Sequence, residues 1–82
     1  MKQLKDTINL MISPDYRDRL IAEYEQLTIR CSKLKKMMDD WNHDELDFKP
    51  VCPKSTYNLQ IEIMEKYIAI LQARAAIEGI VL

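Results

Sequence analysis

The sequence predicts an all-α protein, in which a short N-terminal helix precedes a long antiparallel helical hairpin that assembles as a homo-oligomeric helical bundle. Three observations support this fold class. The 82 residues include one Gly and three Pro, too few for the many turns of an all-β chain. Apolar residues recur at intervals of three and four along two long segments. The second of these segments is apolar on two faces, and a single partner helix covers only one of them.

Length and composition restrict the protein to a small set of classes. A chain of 82 residues that is 48% hydrophobic and 30% charged is expected to fold as one domain over residues 1–82. The net charge of −1 gives no general attraction to nucleic acid or to an anionic membrane. No apolar run approaches the roughly 18 residues of a membrane span, and no signal-peptide pattern opens the chain. With two cysteines far apart, we expect a cytoplasmic protein with reduced thiols.

A short amphipathic helix is predicted over residues 1–12. Its apolar residues at helical spacing are Leu4, Ile8, Met11 and Ile12. A long helix is predicted over 14–41, with Ser13 as its N-cap and Pro14 at its first position. Its apolar side chains follow the three-and-four spacing of a coiled-coil seam. These seam residues are Leu20, Tyr24, Leu27, Cys31, Leu34, Met38 and Trp41.

The predicted linker covers residues 42–55 and is expected to be ordered. Leu46, Phe48 and Val51 alternate with other residues in it. Because alternating apolar side chains are typical of a segment with one buried side, we expect these three to fold back and close the open end of the hairpin.

The second long helix is predicted over residues 56–78. Ser55 is its expected N-cap, and Gly79 is its expected C-terminal stop. In an antiparallel hairpin, Trp41 at the end of the first long helix is expected to lie close to Tyr57 at the start of the second. This contact sets the predicted register of the two helices.

Two apolar stripes run along this second helix. The stripe expected to face the first long helix consists of Tyr57, Ile61, Met64, Ile68, Leu71 and Ala75. The other stripe lies about 200° around the helix, with Tyr67 between the two. Because the hairpin covers only the first stripe, we expect the second to be buried between copies of the chain. The predicted oligomer interface is Leu59, Ile63, Tyr67, Ile70 and Ile77.

Side chains suited to catalysis are few, so we expect no enzymatic activity, no catalytic residue, no metal and no cofactor. His43 lies in the linker beside Asp44 and Glu45, where a solvated histidine is expected. Cys31 lies on the apolar seam, where a buried and inert thiol is expected. Cys52 is expected to be exposed or packed under the linker. Two cysteines and one histidine match no zinc spacing, and one glycine cannot build a phosphate-binding loop.

The start of the second long helix is the first candidate ligand site. Lys54, Ser55 and Thr56 combine an ammonium group, two hydroxyls and the N–H groups of a helix start, which together suit a phosphate. The structural alternative is ordinary capping by Ser55 beside a solvated Lys54.

The second candidate is at the start of the first long helix. Arg17 continues the apolar seam towards the N-terminus, and a buried guanidinium needs a partner. The antiparallel register places Glu78 near Arg17 as a possible ion-pair partner, and it places Glu23 near Arg74. Two structural ion pairs are one interpretation. The alternative is that Tyr16, Arg17 and Arg74 line a ligand pocket between subunits, with the tyrosine ring stacking on the ligand.

A run of positive charge lies in the middle of the first long helix. It consists of Arg30, Lys33, Lys35 and Lys36. Such a cluster is able to contact nucleic acid, but Asp39 and Asp40 follow at once. A solvated face is therefore the favoured interpretation, and nucleic acid is not an expected partner.

Three sets of residues carry a family resemblance. The first long helix contributes Tyr16-Arg17-Asp18-Arg19, Glu23-Tyr24, Leu27, Arg30 and Lys33-Leu34. The linker contributes the run from Leu46 to Ser55, which is the most specific part. The second long helix contributes Gln60, Met64, Tyr67, Leu71, Arg74 and Ile77-Glu78-Gly79. Over about residues 15–80 the chain resembles a family of short helical proteins from tailed bacteriophages and prophages, first named after a crAss-like phage.

The resemblance implies a phage setting, and the family carries no established catalytic motif. The layout is also similar to that of phage anti-CBASS sponges, which are small helical oligomers that sequester cyclic nucleotide signals. This second similarity concerns the fold alone, because no ligand residue aligns one by one. Together they imply a counter-defence protein that sequesters a host nucleotide immune signal, of the cyclic nucleotide or cyclic ADP-ribose type. The alternative is a helical interaction module that inhibits a host defence protein.

Overall fold

The computed structural model describes residues 2–82, so Met1 of the predicted 1–12 helix lies outside the described part. A 3₁₀ turn over Leu4–Thr7 runs directly into helix α1 (Ile8–Met11). Helix α2 (Tyr16–Asn42) and helix α3 (Lys54–Glu78) follow. Every regular element within residues 2–82 is helical, which confirms the all-α part of the predicted fold.

The start of α2 differs from the prediction. Asp15, not Ser13, is the N-cap, and its carboxylate accepts a hydrogen bond of 3.0 Å from the backbone N–H of Arg17. Ser13 supports this cap from outside the helix, since its hydroxyl donates to Asp18 at 2.8 Å and accepts from the Asp15 N–H at 3.1 Å. Pro14 therefore precedes the helix, which begins at Tyr16.

Both long helices end in a left-handed residue that closes the last turn. At the end of α2, Asp44 has a φ of 56°, and the Glu45 N–H donates to the Asp40 carbonyl at 2.8 Å. At the end of α3, Gly79 has a φ of 71°, and the Ile80 N–H donates to the Ala75 carbonyl at 2.8 Å. The predicted stop at Gly79 is confirmed, and each of these two bonds, to a carbonyl five residues back, is the longer bond of a Schellman motif.

Gly79→Ala is expected to lower the free energy of unfolding by about 1–2 kcal/mol, because a Cβ atom disfavours a positive φ. No atom lies within 4 Å of the position of that Cβ, so the loss comes from the backbone alone. Urea unfolding followed by circular dichroism measures it. Gly79→Asn is the matched control and should lose less, since asparagine tolerates this conformation. Equal stability of Gly79→Ala and the wild type would contradict this explanation of the helix stop.

Helices α2 and α3 contact each other and form a hairpin. The end of α2 lies beside the start of α3, and the start of α2 lies beside the end of α3. The Trp41 and Tyr57 rings meet edge to face with centroids 6.2 Å apart, as the predicted register requires. At the opposite end, the Tyr16 hydroxyl lies 3.4 Å from a carboxylate oxygen of Glu78. The chain measures 43 × 24 × 19 Å along its principal axes.

The best-buried part of the core lies at the Tyr16–Glu78 end. It consists of Leu20, Leu71, Ala75 and Ile80, against which Ile21, Tyr24 and Leu27 pack. Ile80 folds back after Gly79 and joins this core, whereas the neighbouring Val81 is exposed. The apolar C-terminal residues thus divide between the core and the surface.

The N-terminal segment packs across α2 through a polar contact that the sequence analysis does not contain. Thr7 is fully buried, and its hydroxyl donates to the Leu4 carbonyl at 2.7 Å. The same hydroxyl accepts from the Gln26 side chain of α2 at 2.9 Å. Ala22 of α2 is also buried, and its small side chain allows the N-terminal segment to pack closely against the helix. A small side chain on α2 and one satisfied hydroxyl therefore fix the position of residues 4–11.

The linker does not close the open end of the hairpin as predicted. Val51 is 100% exposed and Phe48 is 55% exposed, and only Leu46 is half-buried. The Trp41 ring at that end already contacts the Tyr57 ring and lies 5.0 Å from the Lys54 ammonium group.

Candidate functional site

Tyr16, Arg74 and Glu78 form a polar cluster where α2 begins and α3 ends. The Arg74 Nη2 donates to the Tyr16 hydroxyl at 2.5 Å, and its Nε lies 3.7 Å from the Glu78 carboxylate. The hydrogen bond to Tyr16 raises the pKa of Arg74, and the charges of Glu78 and Glu23 add to this effect. Tyr16 and Arg74 thus contact each other within one chain, whereas the prediction placed them in a pocket between subunits. The ion pair of Arg74 is with Glu78 and not with Glu23, as the other interpretation expected.

Arg17 does not lie where the seam predicts. Its side chain is 68% exposed and its Nε lies 3.6 Å from the Asp15 carboxylate. The predicted pair with Glu78 is wrong, because Tyr16 and Arg74 contact that carboxylate instead. The apolar seam ends at Leu20. The long, flexible side chain of Arg17, one turn earlier, extends towards solvent and the helix cap.

Lys54, Ser55 and Thr56 lie at the opposite end of the hairpin. The Lys54 Nζ donates to the Asn42 side chain at 3.0 Å and lies 5.0 Å from the centroid of the Trp41 ring. Ser55 is not the N-cap as predicted, because α3 begins at Lys54 with Pro53 in the cap position. The described chain therefore has two separate clusters, which do not form one site within a single copy.

The four cations predicted to form a solvated face differ in their surroundings. Lys35 pairs with Glu65 of α3 at 3.2 Å, and Lys36 pairs with Asp40 one turn along α2 at 2.5 Å. Within residues 2–82, neither Arg30 nor Lys33 has an acidic partner within 4.0 Å. Two unneutralised cations thus lie three residues apart on one face of α2.

Three grooves border the N-terminal segment or the α2–α3 cleft beside it. One of about 390 Å³, here named the Arg30 groove, is lined by Leu4, Arg30, Lys33, Leu34, Met37, Gln60 and Met64. Arg30 also borders a groove of about 360 Å³ beside Met11, and Lys33 borders one of about 590 Å³ beside Lys2. Both unpaired cations therefore line concave surface. The Arg30 groove joins residues from three separate elements, so no spacing in the sequence indicates it.

An apolar surface remains uncovered on α3. The five residues of the predicted oligomer interface are exposed in the single chain: Leu59 56%, Ile63 56%, Tyr67 40%, Ile70 56% and Ile77 86%. We call this set the α3 face. At its edge, the Tyr67 hydroxyl donates to the Glu23 carboxylate of α2. Isolated exposed apolar residues are common, but the first four of these recur at helical spacing, and Arg74 separates them from Ile77.

Side chains suited to nucleophilic or metal chemistry are scattered. Cys31 is buried and Cys52 is exposed, and the His43 Nδ1 lies 2.7 Å from the Asp39 carbonyl. No group of three His, Cys, Asp or Glu side chains within residues 2–82 is placed to hold a metal ion. No helix in this part of the chain is long and apolar enough to cross a membrane. Partial burial raises the pKa of Tyr57, and the nearby Cys52 thiol adds to the rise.

The two cysteines are expected to be dispensable for function. Cys31→Ala should lower the free energy of unfolding by about 1–2 kcal/mol, because it removes a buried side chain of α2. Cys52→Ser should leave stability unchanged within error, because that side chain is exposed. Urea unfolding measures both changes. Loss of ligand binding by a folded Cys52→Ser protein would instead support a chemical role for the thiol.

Comparison with known proteins adds one family relationship. The model of a protein family described as Sequestin matches residues 14–77. The matched region contains α2, the linker and nearly all of α3, and it leaves the N-terminal segment outside. No curated protein and no solved structure matches the chain.

Proposed function

The chain belongs to the Sequestin family, and from this premise we propose that it sequesters a host nucleotide immune signal without chemical conversion. The family description supports sequestration, and it carries the proposal. The signal is of the cyclic nucleotide or cyclic ADP-ribose type, and the setting is phage counter-defence in the cytoplasm of the infected bacterium. Binding alone is sufficient for this role when the protein is at least as abundant as the signal.

The surface offers groups that suit a nucleotide. Exposed cations complement phosphates, and Tyr16 is 43% exposed beside Arg74, so that part of its ring is open for stacking. Arg17, Lys54, Ser55 and Thr56 remain predicted ligand contacts, and all four are exposed. A phosphate that binds Arg74 would replace the Glu78 carboxylate at that guanidinium.

We further propose that the antiparallel hairpin assembles as a homo-oligomer through the α3 face. Burial of five apolar side chains between copies removes them from water, at roughly 25 cal/mol for each Å² of apolar area. The α3 face points away from the core cluster, so a second copy can cover it without any rearrangement of the hairpin.

The alternative function is a protein–protein interaction module that inhibits a host defence protein. The same exposed α3 face favours it, because an apolar helix face is suited to a helix-in-groove contact. The two functions differ in the free protein: a stable homo-oligomer has already covered this face, whereas a monomer leaves it open for the partner.

Calorimetry tests the proposed function directly. We expect the wild-type protein to bind at least one member of a panel of cyclic di- and trinucleotides and cyclic ADP-ribose isomers. Mass spectrometry of the ligand recovered after denaturation should give an unchanged mass, because no bond is broken. Absence of binding across the panel would favour the interaction module, and a recovered ligand of altered mass would contradict sequestration without catalysis.

A further inference from the structure

We propose that the Arg30 groove is the nucleotide site. Arg30 and Lys33 bind the phosphate, and the apolar floor of the groove contacts the base. This inference rests on the proposed function and adds a location to it. The Arg30 groove is separate from the clusters at the two ends of the hairpin, and all of its lining residues belong to one copy of the chain.

The charge state of the groove is the first argument. Lys35 and Lys36 are neutralised by Glu65 and Asp40, whereas Arg30 and Lys33 have no acidic partner within residues 2–82. Side chains three residues apart on a helix are neighbours, so Arg30 and Lys33 lie next to each other along the groove. A guanidinium beside an ammonium group favours an anion, and the fork of arginine donors matches two phosphate oxygens.

The floor of the groove is the second argument. Leu34, Met37 and Met64 line it, and all three are half-buried, so their accessible parts face the groove. Thioethers adapt their shape to a flat partner and make favourable contacts with aromatic rings. Gln60 lies on the α3 side, and its exposed amide is able both to donate to and to accept from the edge of a base.

The dimensions agree with a nucleotide. A volume of about 390 Å³ falls within the range of about 300–1,000 Å³ that small-molecule sites occupy. The groove of about 590 Å³ beside Lys2 is larger, but the Lys2 ammonium is paired with Glu25 at 2.6 Å. The Arg30 groove therefore has the stronger unneutralised charge.

The N-terminal segment completes the site. Leu4 forms one wall of the groove, and the Thr7–Gln26 hydrogen bond holds this segment on α2. Lys2 adds a second attachment through Glu25. Residues 2–12 therefore contribute to the site although the family match begins at residue 14.

Calorimetry of Arg30→Ala and Lys33→Ala tests the location. The probes are cyclic GMP–AMP, cyclic di-AMP, cyclic ADP-ribose, AMP and inorganic phosphate. Each substitution should weaken the best-binding nucleotide by about 10- to 150-fold, as expected for loss of one charge-assisted contact. Lys35→Ala is the matched control on the same helix and should retain wild-type affinity, because Glu65 already holds that ammonium. Both groove cations are exposed, so circular dichroism should show unchanged folding.

Methionine methyl NMR provides a second, independent readout. Addition of the nucleotide should shift the Met37 and Met64 methyl signals most, whereas Met11, outside the groove, should shift little. Inorganic phosphate should bind more weakly than AMP and leave the methyl signals unchanged, because it reaches only the cations. Equal affinity for phosphate and AMP would overturn the assignment of a base to the floor.

The outcomes separate the two proposals. If the wild-type protein binds no nucleotide, both the proposed function and the proposed site are contradicted. Wild-type binding that survives both Arg30→Ala and Lys33→Ala keeps the function and overturns this location. Loss of binding in Arg17→Ala or Lys54→Ala, with Arg30→Ala unaffected, would move the site to the corresponding end of the hairpin. Binding of an acidic peptide in place of every nucleotide would overturn the ligand class.

Discussion

Ile70→Asp is expected to convert the assembled protein into single chains of 9.7 kDa. Ile70 lies on the α3 face and is 56% exposed in one chain, so the substitution leaves the hairpin core intact. Between copies, the same position would hold an unpaired carboxylate out of water, which costs several kcal/mol for each chain. Sedimentation velocity at micromolar concentration measures the change, and Ile63→Asp should behave in the same way.

Ala69→Asp is the matched control for this experiment. It adds the same carboxylate one residue earlier in α3, at an exposed position about 100° around the helix. The control should sediment like the wild type. If both Ile63→Asp and Ile70→Asp also sediment like the wild type, the α3 face is not the interface. If the wild type itself is monomeric, the interaction module becomes the favoured function.

Leu71→Ala is expected to lower the free energy of unfolding by about 2–5 kcal/mol, the range for large buried side chains cut back to alanine. Leu71 has no exposed surface, and it packs with Leu20, Ala75 and Ile80 where α2 and α3 meet. For a domain of this size the loss is a large fraction of the total stability. Urea unfolding followed by circular dichroism measures it.

Val51→Ala is the control for the core substitution. It also replaces an aliphatic side chain with alanine, but Val51 is fully exposed in the linker. Its unfolding midpoint should equal that of the wild type. A loss in Leu71→Ala no greater than that in Val51→Ala would show that the Leu71 cluster is not the stabilising core.

The hairpin is the most predictable part of the molecule, because apolar spacing along a helix depends on local geometry. Leu20, Cys31 and Met38 of the predicted seam are all buried, and Leu20 packs with Leu71 and Ala75 of α3. The Trp41–Tyr57 contact follows from the antiparallel pairing of two helices whose ends these residues occupy, and the stop at Gly79 follows from the backbone freedom of glycine.

Two of the failed predictions, at Ser13 and Arg17, involve competition between neighbouring polar groups. Ser13 and Asp15 are both suitable N-caps, and the carboxylate takes the position while the hydroxyl supports it. Arg17 continues the apolar spacing, but the hydrogen-bonding groups near Asp15 hold it at the surface. The spacing of apolar residues identifies the helix face on which a residue lies. It does not determine which partner a long side chain contacts.

The Arg30 groove could not be predicted from sequence for two physical reasons. Leu4 reaches it only because Thr7 and Gln26 hold the N-terminal segment on α2, which is a tertiary contact. Arg30 and Lys35 are also equivalent cations in the sequence, and only the fold gives Lys35 a partner from α3. Which charges stay free is therefore a property of the folded hairpin.

Native mass spectrometry of the purified protein with cyclic GMP–AMP and cyclic ADP-ribose tests sequestration by a homo-oligomer most directly, because it reports subunit number and bound ligand together. We expect a multiple of the 9.7 kDa chain that carries one of these nucleotides and releases it with unchanged mass. A single 9.7 kDa chain that carries neither nucleotide would contradict the account.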